Sequence, residues 1–557
     1  MKNKLIIELK HSAEVEQIHA ASNQPGAANT KTGLPKIGNL KLDEEYGIVQ
    51  IPGVQKVDPF ASSTDLANYS SNDVHVSMEP QDSTYIVRAE VDSKQLDKTV
   101  DELMKQKNVK GVFADVEIQS SLICAGSAAR GSHTDVESLL CVNKMKEKGM
   151  TGQGVYVAIV DTGINMAHLN SRGKNPSINL AWSWKPASSP NVLGSAPVGH
   201  GTMCAFDVTI AAPKVTLLDI ALLSRVGNTN PVMSGFLSDG IKAYEHLIQF
   251  MNRPVVPGEN RSLVVNNSWG MFHPSWDFPV GHPGNFSSNP NHPFNLIVGA
   301  LAGKGADILF AAGNCGPECP DGRCQGVTNQ GIYGANSHPS VTTVVGIGTN
   351  MERVGYSNMG PGRLTTNKPD VTGYTHFAGS GVYAADGGTS AATPVVAGVV
   401  AAIRTVRPLS AALSRRPAAI RNILRTTAKD IGTTGYDFMY GFGLVSGCAI
   451  VKKLFPFLSF CRRYPSICAL LKDKHKLFDV CKVNPKICLL IRREIPNLPP
   501  DIDPEILKHV REFDQKRKPL SGLDELENEL VLMESGSTVD AEASQGDCGC
   551  GCQDAGE

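Results

Sequence analysis

Residues 141–450 are predicted to form an α/β domain with a mostly parallel sheet that helices cover on both faces. Strand-like and helix-like segments alternate along this stretch, and such alternation is typical of parallel strands joined by crossover helices. Residues 155–160 form a continuous apolar and aromatic run of the buried-strand type, and residues 262–266 and 308–312 are two further candidate strands. The stretches before and after this domain differ from it in pattern and composition, so the sequence predicts additional parts at both ends.

The N-terminal part, residues 1–118, is predicted to be a ferredoxin-like α+β unit. Its segments follow the order β-α-β-β-α-β, which defines the split β-α-β fold. They are a strand at 5–9, a helix at 13–21, strands at 47–51 and 84–91, a helix to about 106 with Ser93 as its N-cap, and a strand at 109–118. Residues 119–140 contain several glycines and serines and are predicted to be a linker.

The C-terminal part is predicted to be a cysteine-rich, helical extension followed by a tail. Residues 451–500 contain two Cys-x6-Cys units with equal spacing and basic flanks, which indicates an internal repeat. A disulfide-stapled helical pair and a basic module for an acidic partner are both open, and a solvated charged face is the simpler alternative. Residues 501–557 carry no Lys or Arg after Lys518, and we predict an acidic, disordered tail.

Composition excludes several classes of protein but leaves the compartment open. The chain has 557 residues, 41% of them hydrophobic and 19% charged, with a formal net charge of -1, so we expect no nucleic-acid partner. We expect no transmembrane segment, because the longest apolar stretch is shorter than the ~18 residues that a span needs. The absence of a signal peptide argues for the cytoplasm, whereas fourteen clustered cysteines leave non-classical export open.

Three candidate catalytic residues stand where α/β folds place their active sites. Ser390 follows GGT and precedes small, helix-compatible residues, so its hydroxyl would lie at a helix N-terminus beside backbone N–H groups. His200, flanked by glycines in GHGT, would accept the proton of Ser390, because a neutral serine is a poor nucleophile. Asp161 follows the apolar run at 155–160, where it would orient the ring of His200.

Each of these residues has a simpler interpretation when it is taken alone. Ser390 would then be a helix N-cap, His200 a structural histidine and Asp161 a turn former. The order Asp, His, Ser along one α/β chain is, however, that of the subtilisin triad. The order and the flanking glycines together favour a catalytic triad over three coincidences.

The matching motifs identify residues 141–450, by resemblance, as a member of the subtilase family of serine peptidases. The triad motifs are VDTGI, HGT and GTSAATP, and the further matches are APK, YSNMG, KPD and YGFGL, beginning at Ala212, Tyr356, Lys368 and Tyr440. The resemblance implies a subtilisin-like three-layer domain in which Asp161, His200 and Ser390 form the triad of a peptide hydrolase.

The resemblance also implies positions that bind substrate. Asn314, in the segment AAGN, matches the asparagine whose side chain completes the oxyanion hole. An edge segment would pair with an extended peptide or protein substrate and, with the strand before Asn314, would line the pocket for the residue preceding the scissile bond. The residues carried over are Ser268, Trp269, Gly270, Ala312 and Gly313.

The resemblance further implies that residues 1–118 are an inhibitory prodomain that acts as a folding helper and intramolecular inhibitor. We then expect autoprocessing within 119–140, and an unrelated ferredoxin-like domain is the alternative. No cofactor is expected to be required and no metal site is predicted. The stretch between Thr209 and Ala212 is short where many relatives insert a calcium-binding loop, so the usual strong calcium site should be absent.

Two insertions and one cysteine are individual features of this chain. Residues 271–295 are predicted to be a specificity lid, with a metal site as the less favoured alternative because the histidine spacing fits no compact ligand set. Residues 315–324 carry three cysteines, for which a disulfided loop is favoured over a metal knuckle. Cys204 is predicted to be a small core residue.

The predicted function is a serine endopeptidase that acts through an acyl-enzyme and is made as an autoprocessed zymogen. A dedicated maturation peptidase for one substrate and a transpeptidase, in which an amine replaces water, are alternatives. A catalytically silent binding scaffold is a further alternative, but such a scaffold has no need for Asp161, His200, Ser390 and Asn314 together.

Overall fold

The structure is a computed structural model. It describes residues 2–22, 35, 37, 40–56, 74–77, 80–120, 127–224, 233–254, 256–328, 330–410 and 412–455. The chain divides into two units, Met1–Ile450 and Val451–Glu557. The predicted cysteine repeats and the acidic tail lie outside the described residues.

The N-terminal part of the first unit is built on an antiparallel sheet with the strand order β2-β5-β1-β6. Two further strands, β3 and β4, pair with each other. The elements are β1 (Lys2–Lys10), α1 (Ala13–Ser22), β2 (Val49–Ile51), β3 (Gly53–Lys56), β4 (Val74–Ser77), β5 (Thr84–Asp92), α2 (Leu96–Met104), β6 (Val109–Ala114) and β7 (Glu117–Ser120).

Three details of the N-terminal part differ from the prediction, and the first is the pair β3 and β4, which lies where no strand was expected. The helix was expected to begin at Ser93, but Asp92 caps a 3-10 turn at Ser93–Gln95, because its carboxylate accepts the N–H of Lys94. The last strand, expected to be continuous over 109–118, is divided at Asp115 into β6 and β7. That division separates a strand of the N-terminal sheet from one that pairs elsewhere.

The N-terminal sheet buries both of its faces. Alternation along β1 places Leu5 and Ile7 in one core with α1 and α2, whereas Ile6 faces the opposite side. On that side Ile6 and Phe113 share a core cluster with residues of the following domain, including Tyr244. The N-terminal part is therefore packed against the rest of the first unit through apolar side chains.

The following domain contains a seven-stranded parallel sheet with the order β16-β15-β14-β12-β8-β10-β9, which confirms the predicted α/β architecture. Its elements are α3 (His133–Leu139), α4 (Val142–Glu147), β8 (Tyr156–Val160), α5 (Met166–Ser171), β9 (Ser177–Ile178), α6 (His200–Ala211), β10 (Thr216–Ile220), β11 (Ser234–Phe236), α7 (Leu237–Asn252), β12 (Leu263–Asn267), β13 (Trp269–Gly270), α8 (Pro293–Gly303), β14 (Asp307–Ala311), β15 (Thr342–Ile347), β16 (Val371–Tyr374), α9 (Gly388–Val406), α10 (Pro417–Thr427) and α11 (Gly447–Leu454).

The helix α9 passes through the core of this domain. Among the described residues it is the one helix long and apolar enough to cross a membrane, and 89% of its most apolar window is buried inside the protein. Its side chains pack beside those of α6 and against the central strands. It is therefore a core helix that carries Ser390 in its first turn.

The segment 127–140 is ordered around a helix and a disulfide bond. Residues predicted to be linker form α3, which begins at a capping box between Ser132 and Asp135. Just after α3, Cys141 is bonded to Cys448 at the start of α11, across 307 residues of sequence. The beginning and the end of the domain are thus joined covalently.

Candidate active site

Three neighbouring parallel strands end at the same edge of the sheet, and three of the predicted site residues follow these strands. In the register of the sheet, Val160 of β8 lies beside Asn267 of β12, and Asn267 lies beside Phe310 of β14. Asp161 and Ser268 therefore follow their strands at one edge, with Asn314 a few residues beyond β14. The carboxyl edge of a parallel sheet is where open α/β folds bind their ligands.

Two helices supply the remaining members. His200 is the first residue of α6, and Ser390 is the third residue of α9. The approach of α6 to β8 requires glycine, because a Cβ on Gly201 would lie 2.5 Å from the carbonyl oxygen of Gly163. Gly201 is therefore needed for α6 to approach closely enough for the ring of His200 to reach Asp161.

His200 and Asp161 form a buried pair with a defined proton arrangement. Nδ1 of His200 lies 2.9 Å from Oδ1 and 3.0 Å from Oδ2 of Asp161. Because a carboxylate only accepts, Nδ1 carries the hydrogen and Nε2 is left with its lone pair. Nε2 is buried and has no hydrogen-bond partner within the described part of the chain. The ring is therefore held as a base with its accepting nitrogen unoccupied.

Ser390 is fixed beside this base by a reciprocal contact with Ser268. The hydroxyl of Ser390 donates to the carbonyl oxygen of Ser268 at 3.2 Å, and the hydroxyl of Ser268 donates to the carbonyl oxygen of Ser390 at 2.9 Å. The second bond is available because Pro394, four residues later in α9, has no N–H to occupy the Ser390 carbonyl. Pro394 thus leaves the carbonyl oxygen of Ser390 free to accept the hydrogen bond from the Ser268 hydroxyl.

Asn314 presents a vacant donor beside the N-terminus of α9. Its Oδ1 accepts the N–H of Thr389 at 2.9 Å, whereas its Nδ2 is buried and unpaired among the described residues. A Cβ on Gly388, whose φ is +73°, would lie 2.8 Å from that Nδ2. The glycine therefore leaves room beside this unpaired donor, at the point where a developing oxyanion would lie.

The loop after Asn314 is closed by a disulfide between Cys315 and Cys324, as the favoured interpretation of this segment predicted. The N–H of Asp321, within this loop, donates to the carbonyl oxygen of Asn314 at 2.9 Å. Cys319 is disulfide-bonded as well. The cysteines of this loop are therefore not available as metal ligands.

The predicted substrate edge already carries a strand of the same chain. β7 lies between β11 and β13 and runs antiparallel to both, with Gly235 opposite Ile118 and Trp269 opposite Ser120. The side chain of Trp269 is buried and its Nε1–H donates to the carbonyl oxygen of Val160, so this residue offers its backbone to the edge.

A small cavity lies next to the edge and the oxyanion position. Of the residues predicted for substrate binding, Gly270, Ala312 and Gly313 line it, whereas Ser268 contacts Ser390 instead. Its other walls were not predicted to bind the substrate side chain, although Asn314 was assigned to the oxyanion hole and Cys315 to the disulfided loop. They are Met271, Phe272, Asn314, Cys315, Gly331, Tyr333, Asn336 and Asn358.

The insertion 271–295 packs against the N-terminal part. The N–H of Ala114 donates to the carbonyl oxygen of Gly284, and a Cβ on Gly284 would meet the carbonyl oxygen of Val112 at 2.6 Å. His292 is buried between Phe113 and Phe286, and burial lowers its pKa to about 3. This segment, predicted to be a lid, forms much of the surface on which the N-terminal sheet rests.

Burial dominates the electrostatics around the triad. It raises the pKa of Asp219, behind the triad, and that of Asp386, before Ser390, to about 6 in each case. Burial and the charge of Asp161 raise the pKa of the Cys204 thiol well above its usual value. Cys204 is therefore a neutral thiol, packed 3.8 Å from Nδ1 of His200.

The donor atoms of Asp161, His200 and Cys204 lie within 4.8 Å of one another, a spacing that a metal ion would accept. Binding there would occupy the carboxylate and the ring that already bond to each other. We therefore assign the Asp161 and His200 atoms to their mutual hydrogen bond and Cys204 to the packing around it, and the expectation that no metal is required stays a prediction.

Comparison with known proteins identifies the family. A family model described as "Subtilase family" matches residues 152–443. The chain belongs to the subtilase family. It is 27% identical over 311 residues to Subtilisin Savinase from Lederbergia lenta, covering 55% of this chain and 93% of that protein. It is 29% identical over 311 residues to Subtilisin NAT from Bacillus subtilis subsp. natto, covering 54% and 67% respectively.

This subtilase is also similar to M-protease from Shouchella clausii (strain KSM-K16). The two are 26% identical over 311 residues, which cover 55% of this chain and 66% of that protein. Among solved structures, the "S41 Psychrophilic Protease" is 22% identical, with a TM-score of 0.39 over 53% of this chain and 92% of that one. The family and the curated relatives indicate a serine endopeptidase.

Proposed function

We propose that this subtilase is a serine endopeptidase that hydrolyses peptide bonds through an acyl-enzyme on Ser390. The observation that carries the proposal is a pair of vacant, buried polar atoms, Nε2 of His200 and Nδ2 of Asn314, beside one serine hydroxyl. A buried polar atom without a partner is costly in a folded protein. One vacant acceptor and one vacant donor are what proton removal and oxyanion binding respectively require.

In the proposed reaction, Oγ of Ser390 leaves the Ser268 carbonyl, gives its proton to Nε2 of His200 and attacks the scissile carbonyl carbon. The carbonyl oxygen becomes an oxyanion, which the Nδ2–H of Asn314 and the N–H of Ser390 stabilise. Asp161 holds Nδ1–H and stabilises the imidazolium. The proton then passes to the leaving amine as the C–N bond breaks, and water, deprotonated by His200, releases the acyl group.

We further propose that residues 1–120 act as the inhibitor of the same chain. The support is that β7 occupies the edge between β11 and β13, where an extended substrate would pair. Further support comes from Asp115, whose carboxylate accepts both the N–H and the hydroxyl of Ser238 in the first turn of α7. The N-terminal part thereby completes a helix of the catalytic domain while it blocks the cleft.

The position of β7 also narrows the proposed processing site. β7 ends at Ser120, and Ser127 is the next residue that the structure describes, with its hydroxyl 2.9 Å from Nε2 of His376. We propose that the chain cuts itself between 120 and 127, within the predicted stretch 119–140. The segment 121–126 lies outside the described residues.

A single experiment on the full chain tests both proposals. The wild type and Ser390→Ala are purified in parallel and measured by intact-mass analysis, and both are treated with a serine-directed fluorophosphonate. We expect a new N-terminus between residues 121 and 127 and labelling in the wild type, and neither in the variant. Labelling without a new N-terminus would refute autoprocessing alone, and processing or peptide hydrolysis that survives in Ser390→Ala would refute the triad.

The cysteine pairs support a proposal about compartment. Cys141–Cys448 and Cys315–Cys324 are bonded, and such bonds persist mainly in oxidising environments. We therefore propose that the protein functions where disulfides are stable. Mass measurement of alkylated protein from the native source, with and without reductant, tests this; four free thiols at these positions would contradict it.

A further inference from the structure

Two asparagines in the wall of the small cavity next to the substrate edge have side-chain oxygens without a hydrogen-bond partner among the described residues. Asn336 and Asn358 line the cavity and are 4% and 1% exposed. Oδ1 of each is buried and makes no hydrogen bond within the described residues. Leaving such an acceptor unpaired costs free energy, so it is informative when it occurs beside a nucleophile.

The orientation of both amides is fixed by their nitrogens. Nδ2 of Asn336 donates to the carbonyl oxygens of Trp269 and Ala311, each at 2.8 Å. Nδ2 of Asn358 donates to those of Ala312 and Gly331 at 2.8 and 2.9 Å. Rotating either amide would place its oxygen against two carbonyl oxygens. The polar atoms of these two amides that remain without a partner are therefore acceptors.

Both amides lie against glycines of the cavity wall. A Cβ on Gly270 would stand 2.9 Å from Nδ2 and 3.3 Å from Oδ1 of Asn336, and a Cβ on Gly331 would stand 2.9 Å from both Nδ2 and Oδ1 of Asn358. Since both glycines line the same cavity, the two amide groups belong to its wall. The amides also fill space that would otherwise deepen the cavity.

The remaining walls exclude a positively charged occupant. The lining contains no carboxylate. Two of its aromatic walls, Phe272 and Tyr333, are themselves approached by the guanidinium groups of Arg323 and Arg363, at 3.7 and 5.4 Å from the ring centres. A lysine or arginine side chain would bury its charge there without a counter-ion, which is strongly unfavourable.

We infer that the residue before the scissile bond is small, uncharged and a hydrogen-bond donor, such as serine, threonine or asparagine. This inference rests on the proposed endopeptidase function and names its substrate class. A donor-bearing side chain satisfies Oδ1 of Asn336 or Asn358, whereas a large apolar side chain meets the amides and leaves them unpaired.

The test uses pairs of nearly equal shape. Protein is expressed as the full chain, allowed to process itself and then incubated with N-terminally blocked peptide p-nitroanilides of the sequence Ile-Gln-Ser-X. In these substrates X, the residue before the scissile bond, is Thr, Val, Asn, Leu, Phe or Lys. Thr and Val differ by hydroxyl against methyl, and Asn and Leu by amide against isobutyl. We expect kcat/KM to be about tenfold or more higher for Thr than Val and for Asn than Leu, with Phe and Lys poor. Equal rates within the pairs, or a preference for Phe or Leu, would overturn the inference.

Two variants locate the effect. In Asn336→Ala the Thr-to-Val ratio should fall toward one and cleavage after Phe should rise. Asn295→Ala is the matched control, because Nδ2 of Asn295 also donates to two carbonyl oxygens, its Oδ1 is likewise unpaired, and it does not line the cavity. That variant should retain the wild-type ratio, and an equal fall in both variants would contradict the assignment.

A fluorophosphonate control separates this inference from the proposed function. Protein that is labelled at Ser390 but does not discriminate within the pairs refutes the substrate assignment and leaves the endopeptidase standing. Protein that is neither labelled nor cleaves any peptide refutes the endopeptidase and, with it, the assignment.

Discussion

Replacing Asp115 by asparagine should tighten the autoinhibitory contact above pH 6. Asp115 is 5% exposed and accepts two hydrogen bonds from Ser238 at the start of α7. Burial is the largest influence on this carboxyl and raises its pKa from 3.8 to about 6, against the opposing effects of Arg88 and Ser238. Because docking raises the pKa, docking is strongest when Asp115 is protonated and weakens as the pH rises from about 4 to about 6.

The size of the effect follows from the two pKa values. The difference between 3.8 and about 6 corresponds to roughly 3 kcal/mol, or about a hundredfold in the docking equilibrium. Asparagine is uncharged at every pH and keeps an oxygen that accepts the N–H of Ser238. The docking equilibrium constant of the variant should therefore match that of the protonated wild type. It should exceed that of the ionised wild type by up to this factor.

The assay is the rate at which a fluorophosphonate labels Ser390 in freshly purified full-length protein, because labelling requires an open cleft. Taking the ratio of the wild-type rate to the Asp115→Asn rate at each pH removes the pH dependence of the labelling reaction itself, which both proteins share. It should rise from about one near pH 4 toward about a hundred at pH 7. A ratio that does not change with pH, or faster labelling of the variant, would show that the hydrogen bonds to the charged carboxylate outweigh its burial.

Three further substitutions test separate parts of the structure. Asn314→Ala should lower kcat by roughly 10²- to 10³-fold with little change in KM; a change confined to KM in steady-state peptide hydrolysis would remove this residue from the oxyanion hole. Cys448→Ser should lower the free energy of unfolding, since the bond to Cys141 spans 307 residues and the chain-entropy relation gives about 5 to 6 kcal/mol as its upper value; an unchanged urea midpoint in a Ser390→Ala background would contradict this. Lys368→Met leaves the buried Asp370 without the ammonium 2.6 Å away and should cost about 3 kcal/mol in the same denaturation assay, whereas a neutral effect would mean that the remaining partners of the carboxylate suffice.

The sequence alone was sufficient to predict those residues of the candidate site that lie at the ends of strands and the starts of helices. Asp161, His200 and Ser390 stand in short motifs whose glycines are needed for close backbone approach, so sequence order and local composition pointed to their meeting. The register of three neighbouring strands then explains why the meeting occurs. The same local logic predicted the N-terminal order of elements, because its apolar periodicities are regular.

The contacts between distant segments were not predictable in this way. Asn336 reaches the cavity from a short 3-10 helix and Asn358 from a loop, and their roles depend on which of their atoms are already bonded. YSNMG was recognised only as a motif match, with no chemistry attached to Asn358. The bond between Cys141 and Cys448 was missed because sequence gives no pairing for fourteen cysteines. The helix α3 was missed because its capping box stands in a stretch that composition marked as a linker.

The position of β7 has a consequence for which proteins could serve as substrates of this enzyme. β11 and β13 do not pair with each other; they are joined only through the strand between them. If that strand leaves, as proposed above, the cleft is a sheet without its middle strand, and its backbone groups accept any chain that is extended there. Recognition then begins with conformation and only afterwards with sequence. A stably folded protein offers such a strand only at its loops and frayed ends, whereas a misfolded or newly made chain offers it along much of its length.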